Sequence, residues 1–165
     1  MEAPAAKRAT IVKEWLTRTL HTYPEQTVRF LAGGKDPFRN PVGHTLEEAF
    51  PVLVDELLGG MDRSRIAPLL DQIVRIRAVQ DFSASQAVAF VFLLKPVVHE
   101  ALEREGQRDQ DGVDLAALDE RIDQMALLAF DLFMKCREQI YEMRVNEARR
   151  RTFLLARIQE RAEAR

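Results

Sequence analysis

The three histidines, His21, His44 and His99, are the side chains with the widest range of possible chemistry in this sequence. A zinc site needs His, Cys or carboxylate ligands at close spacing, and these histidines lie far apart along the chain. His99 falls late on an apolar segment, where a haem could reach it, and His44 falls in a loop just before a predicted helix start. We expect both to be ordinary histidines, with no bound metal or cofactor. A haem ligated by His99 or His44 is the alternative.

The residues that nucleophilic catalysis would need are not found at suitable positions. Cys136 is the only cysteine, and it lies on an apolar helix seam, whereas a reactive thiolate needs an accessible, electropositive setting. The sequence has no serine in a G-x-S-x-G elbow and no glycine-rich phosphate loop before a helix. A single cysteine also excludes a disulfide within the chain. We therefore predict no catalytic residues and a non-enzymatic protein.

The densest run of positive charge is Arg149-Arg150-Arg151, near the C-terminal end. A basic helix of this kind can bind nucleic acid, an anionic membrane or an acidic protein. Glutamates are interspersed with these arginines, and an i,i+4 pair between Glu147 and Arg151 would stabilise a solvated helix. We predict that the three arginines dock a partner protein, and binding to nucleic acid or a membrane surface is the alternative.

Length and composition define the class of protein. The chain has 165 residues, of which 47% are hydrophobic and 30% charged, and its net charge is −2. Such a chain can bury one substantial core, and without a basic excess we do not expect it to bind nucleic acid. Its longest apolar run, Ala87–Leu94, is far shorter than the ~20 residues of a membrane span. The first residues lack the apolar stretch of a signal peptide. We predict a cytoplasmic protein without membrane insertion.

Helical periodicity recurs along the whole chain, and no segment shows the alternation of a strand. Capping boxes, in which a Ser or Thr is followed three residues later by Glu or Gln, mark helix starts; they lie at Thr22–Glu25, Thr45–Glu48 and Ser83–Gln86. Asp62 or Ser64 begins a further helix, and Pro96 is expected to kink the apolar helix that starts at Ser83. These signals predict an all-α fold of about six helices, with polar loops at Lys35–Gly43 and Gly106–Gly112.

The last helix is predicted to be unusually long, because Asp114–Arg165 contains neither proline nor glycine. Its apolar residues follow alternating steps of three and four, which is a seam suited to packing against another helix. A helix of about fifty residues would reach roughly 75 Å, about twice the width of a globule of this size. We predict a folded body at 1–147 and a projecting helix at 148–165. We expect two copies to meet along the seam, at Leu132, Cys136, Ile140 and Met143.

Three stretches resemble the N-terminal sensor domain of RsbR and RsbRD proteins, the co-antagonists of the RsbT kinase in bacterial stressosome signalling. The longest is Ile73–Lys95, in which Arg77, Phe82-Ser83 and Ser85 are the most recognisable residues. The other two are Asp36–Gly43 and Cys136–Glu147. Together they make the chain similar to stand-alone members of this family from sulfate-reducing bacteria, over roughly residues 12–150.

The resemblance implies a globin-like all-α fold that lacks haem and dimerises through its C-terminal helices. In relatives the last helix leads into a STAS domain or a kinase, whereas this sequence ends at Arg165. We therefore expect a separate signalling protein, of STAS-domain or kinase type, as the partner. The predicted function is a regulatory sensor or adaptor domain that acts as a homodimer and relays a signal through its last helix. A small-ligand-binding or haem-binding globin-like protein is the alternative.

Overall fold

A computed structural model describes residues 5–23, 40–80, 82–103 and 114–163. These residues form an all-α fold, with six helices and no strand in the described part of the chain. The helices are α1 (Ala5–Leu20), α2 (Pro41–Leu58), α3 (Arg63–Val79), α4 (Ala84–Phe92), α5 (Leu94–Glu103) and α6 (Leu115–Glu163). The prediction of an all-α chain with a long last helix is therefore confirmed. The helix predicted after Thr22 and the loop at Gly106–Gly112 lie outside the described residues.

Local capping chemistry begins α3 and α4 where the sequence predicts. The Asp62 side chain accepts from the Ser64 amide at 2.8 Å and opens α3. Ser83 and Gln86 form a complete capping box at the start of α4. Each cap satisfies backbone amides that have no partner in the first helical turn, and it therefore stabilises the helix end where it lies.

The start of α2 differs from the predicted one. Asn40 is the cap, and its side-chain oxygen accepts from the Gly43 amide at 2.9 Å, so that α2 begins at Pro41. Proline suits this first position because its missing N–H would have no partner there. The predicted cap, Thr45, instead lies inside the helix and donates to the Pro41 carbonyl at 2.8 Å. His44 therefore lies on a helix, and the prediction that it belongs to a loop was wrong.

Pro96 divides the apolar segment after Ser83 into two helices. Without an N–H, Pro96 cannot donate to the carbonyl four residues earlier, that of Phe92, which is the last residue of α4. The predicted kink is thus a break at Leu93.

By length and composition Ala84–Leu102 could cross a membrane, with a mean hydropathy of 1.3, but core helices of helical domains share this property. Here both helices contribute fully buried residues to the core, among them Phe90, Val91 and Leu94.

An aromatic stack occupies the centre of the core. Trp15 is fully buried and lies parallel to the Phe50 ring, with 3.6 Å between the ring centroids. Phe90 lies nearly parallel to both rings, about 6 Å away, at 6.0 Å from Trp15 and 6.1 Å from Phe50. The indole N–H donates to the Phe90 carbonyl at 2.7 Å. This stack ties α1, α2 and α4 together, because each of these helices supplies one ring.

Candidate functional site

Helix α6 has one face in the core and continues well beyond it. Leu118, Ile122, Met125 and Ala129, which continue the seam before Leu132 in steps of three and four, are buried in the chain's own core, where α6 packs mainly against α3 and α4. From Tyr141 to Ala162 every side chain is exposed. With 49 residues α6 is about 74 Å long, so the helix extends past the body that covers its first half.

The four predicted interface residues lie on both sides of the point at which the body stops covering α6. Cys136 is 6% exposed, and Leu132 and Ile140 are half-buried against the core. Met143 is 63% exposed and lies beyond the covered part of the seam. The contact between two copies stays a prediction, and Met143 is the predicted interface residue that is most accessible in a single chain.

A second apolar stripe on α6 was missed by the sequence reasoning. Its members are exposed and recur at helical spacing: Leu127, Phe130, Met134, Tyr141 and Val145. They lie between the core-facing residues of the same helix along the sequence. The periodicity of the core-facing residues was recognised, and the periodicity of the exposed ones was not. The signal was nevertheless present, because Leu127, Phe130 and Met134 themselves follow steps of three and four.

The predicted docking residues Arg149, Arg150 and Arg151 lie together on the exposed extension of α6. The Arg151 guanidinium donates to the Glu147 carboxylate at 2.6 Å, which confirms the predicted i,i+4 pair. Exposed apolar side chains follow directly: Phe153, Leu154, Leu155 and Ile158. The extension therefore presents both cationic and apolar side chains to solvent.

Two arginines attach α6 to the ends of other helices. Arg121 donates to the carbonyls of Leu57 at 2.9 Å and Gly59 at 3.0 Å, at the end of α2. Arg137 donates to the Ala78 carbonyl at 3.2 Å, at the end of α3, and its guanidinium carbon lies 5.2 Å from the centroid of the Tyr141 ring. The last carbonyls of a helix have no partner within the helix and carry partial negative charge, so these cations bind well there.

We expect Arg121→Ala to lower the free energy of unfolding by about 1–3 kcal/mol, since two carbonyls lose charge-assisted hydrogen bonds. Urea unfolding followed by circular dichroism measures the change. Arg144→Ala is a suitable control, because Arg144 lies on the exposed extension of the same helix and its removal should change stability by less than about 0.5 kcal/mol. Equal effects for the two variants would contradict the capping role of Arg121.

The most unusual charge in the body is Arg77, which is fully buried at the end of α3. Its guanidinium carbon lies 5.0 Å from the Tyr23 ring centroid, 5.2 Å from Phe82 and 4.9 Å from Phe90. The guanidinium donates to the Gln86 carbonyl at 3.1 Å and to the Thr22 hydroxyl at 3.2 Å. We call these residues the Arg77 cage: Thr22, Tyr23, Arg77, Phe82, Gln86 and Phe90.

The Arg77 cage holds a positive charge without a carboxylate partner among the described residues. Burial lowers the pKa of the Arg77 guanidinium, and the neighbouring Tyr23 partly opposes this shift. The group remains charged because arginine does not deprotonate in proteins. Burial also raises the pKa of the Tyr23 hydroxyl. The rings attract the cation through their faces, but they supply no negative charge.

The comparisons with known proteins point to a signalling family. The family model described as the RsbT co-antagonist protein rsbRD N-terminal domain matches residues 9–148. The chain belongs to the RsbRD N-terminal domain family. Searches of the curated proteins and of the solved structures give no significant match. The suspected family is thus confirmed, and the globin-like topology stays a prediction.

Membership in the RsbRD N-terminal domain family points to a regulatory, sensor-type role, and the histidines do not suggest another. His99 contacts Asp119 at 3.1 Å and His44 contacts Glu48 at 3.2 Å, and both side chains are partly exposed. Neither histidine belongs to the stack of Trp15, Phe50 and Phe90 that fills the core. Within the described ranges, no group of three or more His, Cys, Asp or Glu residues could hold a metal ion.

Proposed function

We propose that this RsbRD N-terminal domain is a non-enzymatic sensor or adaptor in the bacterial cytoplasm, and that it acts as a homodimer relaying a signal along α6. One observation carries the proposal: a single helix is half core element and half uncovered extension, and the extension is lined by large apolar side chains. Exposed apolar surface of this kind is typical of a surface that binds another protein. A second copy is the simplest partner for it.

The proposed contact between the two copies is centred on Met143. The seam of α6 is fully covered by the chain's own core at Cys136 and partly covered at Ile140, and the same side of the helix becomes free at Met143. Leu154, three helical turns further on, lies on this side and is also exposed. Two extensions packed along this line would remove these side chains from water without disturbing the body.

The relay would start where the body touches the lower half of α6. Helices α3 and α4 pack against α6, and Arg137 joins the last turn of α3 to Tyr141, the first residue of the exposed part. A change in the packing of α3 would therefore move a contact at the base of the extension. Arg149, Arg150 and Arg151 would dock the separate signalling protein, of STAS-domain or kinase type, that receives the signal.

Native mass spectrometry of the purified chain at low micromolar concentration tests this proposal. We expect a dimer. A monomer at all concentrations up to about 100 μM would refute the homodimer relay, because we expect the dissociation constant of a functional dimer to lie below this concentration. A stoichiometric haem adduct would also overturn it, in favour of a haem protein.

A further inference from the structure

We propose that the Arg77 cage is a binding site for a small oxyanion, with Arg77 as the group that recognises its negative charge. The site lies where the end of α1 meets the corner between α3 and α4. It takes part in neither the proposed dimer contact nor the proposed docking of a partner. The idea that this site starts the signal relayed along α6 rests on the proposed function. The binding of an anion to the site does not depend on it.

The positive charge of Arg77 is not balanced by an opposite charge among the described residues. Arg77 is one of the largest fully buried side chains of the described core, and its described hydrogen bonds go to two neutral oxygens, of Gln86 and Thr22. A buried charge without an opposite charge is strongly unfavourable. The acidic residue of the same helix, Asp71, is paired with Arg75. An anion would supply the missing charge.

Arg77 also has unused hydrogen-bonding capacity. Among the described residues, the Nε of Arg77 and the hydroxyl of Thr19 are buried polar atoms that have no hydrogen-bond partner. Thr19 and Arg77 both contact the Thr22 hydroxyl, which donates to the Thr19 backbone carbonyl at 2.7 Å and accepts from the Arg77 guanidinium at 3.2 Å. The unpartnered Nε of Arg77 is a donor that an oxyanion would accept from, and Thr19 carries a second unpartnered donor on a residue that shares the Thr22 contact. Arginine is well suited to this task, because its planar fork matches a carboxylate or another oxyanion.

The enclosure limits the size of the ligand. The rings of Tyr23, Phe82 and Phe90 lie within about 5 Å of the guanidinium carbon, and Arg77 is fully shielded from solvent. Tyr23 and Phe82 also contact one another edge to face, with 5.4 Å between centroids. The ligand class is therefore a compact oxyanion, and its binding requires at least one of the rings around the guanidinium to move.

The position of the cage explains how binding would reach α6. Arg77 is followed directly by Ala78, whose carbonyl accepts from Arg137 on α6. Gln86, whose carbonyl accepts from Arg77, lies in the first turn of α4. An anion that draws the guanidinium away from Gln86 or Thr22 would shift the corner between α3 and α4, and with it the Arg137 contact at the base of the extension.

Differential scanning calorimetry of the full chain with sodium formate, sodium nitrate and sodium phosphate tests the site. Ionic strength is held constant with sodium 2-morpholinoethanesulfonate, whose anion is too large for the cage. We expect at least one of the three anions to raise the Tm saturably by about 3 °C or more. A preference for formate or nitrate over phosphate would identify a planar ligand. No saturable rise with any of them would overturn the proposal.

Two variants make the test specific to the cage. Arg77→Met removes the charge at similar length and should abolish the anion-dependent rise. Arg75→Met is the matched control, since Arg75 lies on the same helix, is exposed and pairs with Asp71; it should keep the rise. The same rise in Arg77→Met as in the unmodified chain would refute the site.

A measurement on the unmodified chain covers the case in which Arg77→Met does not fold. The Arg77 Nε–H signal in a ¹H–¹⁵N spectrum should shift saturably as formate, nitrate or phosphate is added, and a constant signal with all three would overturn the proposal. Sedimentation velocity with and without the anion separates the two proposals. A chain that binds the anion but stays monomeric would refute the dimer relay and leave the site standing.

Discussion

Replacing Trp15 by alanine is expected to lower the free energy of unfolding by about 3–5 kcal/mol, the largest loss that a single substitution in this chain should cause. Trp15 is fully buried, stacks on Phe50 and donates a hydrogen bond to the Phe90 carbonyl. Alanine would leave a cavity between three helices and an unpaired carbonyl. Because Trp15 is the only tryptophan, unfolding in urea has to be followed by circular dichroism rather than by fluorescence.

Trp15→Phe separates the two contributions of the indole. Phenylalanine keeps most of the ring stack and loses the hydrogen bond, so we expect a smaller loss, of about 1–3 kcal/mol. Trp15→Ala and Trp15→Phe with equal effects would mean that the hydrogen bond to Phe90 outweighs the stack. A loss below about 1 kcal/mol for Trp15→Ala would show that the stack is not the centre of the core.

Replacing Met143 by glutamate is expected to weaken the proposed dimer by about 100-fold or more, which corresponds to about 2.7 kcal/mol. Met143 is 63% exposed in the single chain, so the change should leave the body and its helix content intact. In the dimer the same change would place a charge from each copy in an apolar contact, without a partner. Sedimentation equilibrium, together with circular dichroism, measures both effects.

Val145→Glu is the matched control for Met143→Glu. Val145 is 48% exposed, and two residues along a helix place it on the opposite side from Met143. A dimer lost in Met143→Glu and kept in Val145→Glu would support the proposed contact. The reverse result would move the interface to the second stripe, which contains Phe130, Met134 and Tyr141. Ile140→Glu distinguishes these faces less well, because Ile140 also packs against the chain's own core.

The sequence predicted helix starts correctly where the residues that cap the helix lie within a few positions of one another. Ser83 and Gln86 cap each other across one turn, and Asp62 accepts from Ser64 two residues on. The same logic was misleading at Thr45. There Asn40 offers a cap five residues before the predicted cap Thr45, and Pro41 suits the first helical position. Two good caps compete at this point, and the neighbouring residues alone do not rank them.

The faces of α6 show what periodicity can and cannot establish. The three–four steps predicted a packing seam, but whether the seam meets the chain's own helices or a second copy depends on how far the body extends. That distance is set by the packing of α3 and α4 against α6; the last fully buried residue of the seam is Cys136, and Ile140 is half-buried. Met143 and Cys136 therefore look alike in the sequence and differ about tenfold in exposure, at 63% and 6%.

The sequence by itself determined the all-α class, the long last helix, the family and most helix ends, because each depends on residues close together along the chain. Only the tertiary structure decided that Arg77 is buried among aromatic rings. Its neighbours Thr22, Tyr23 and Phe90 come from distant segments, and on the sequence alone Arg77 is an ordinary cation in the last turn of a helix. Burial and charge balance arise from contacts between helices, so the candidate site became visible only when the helices were assembled.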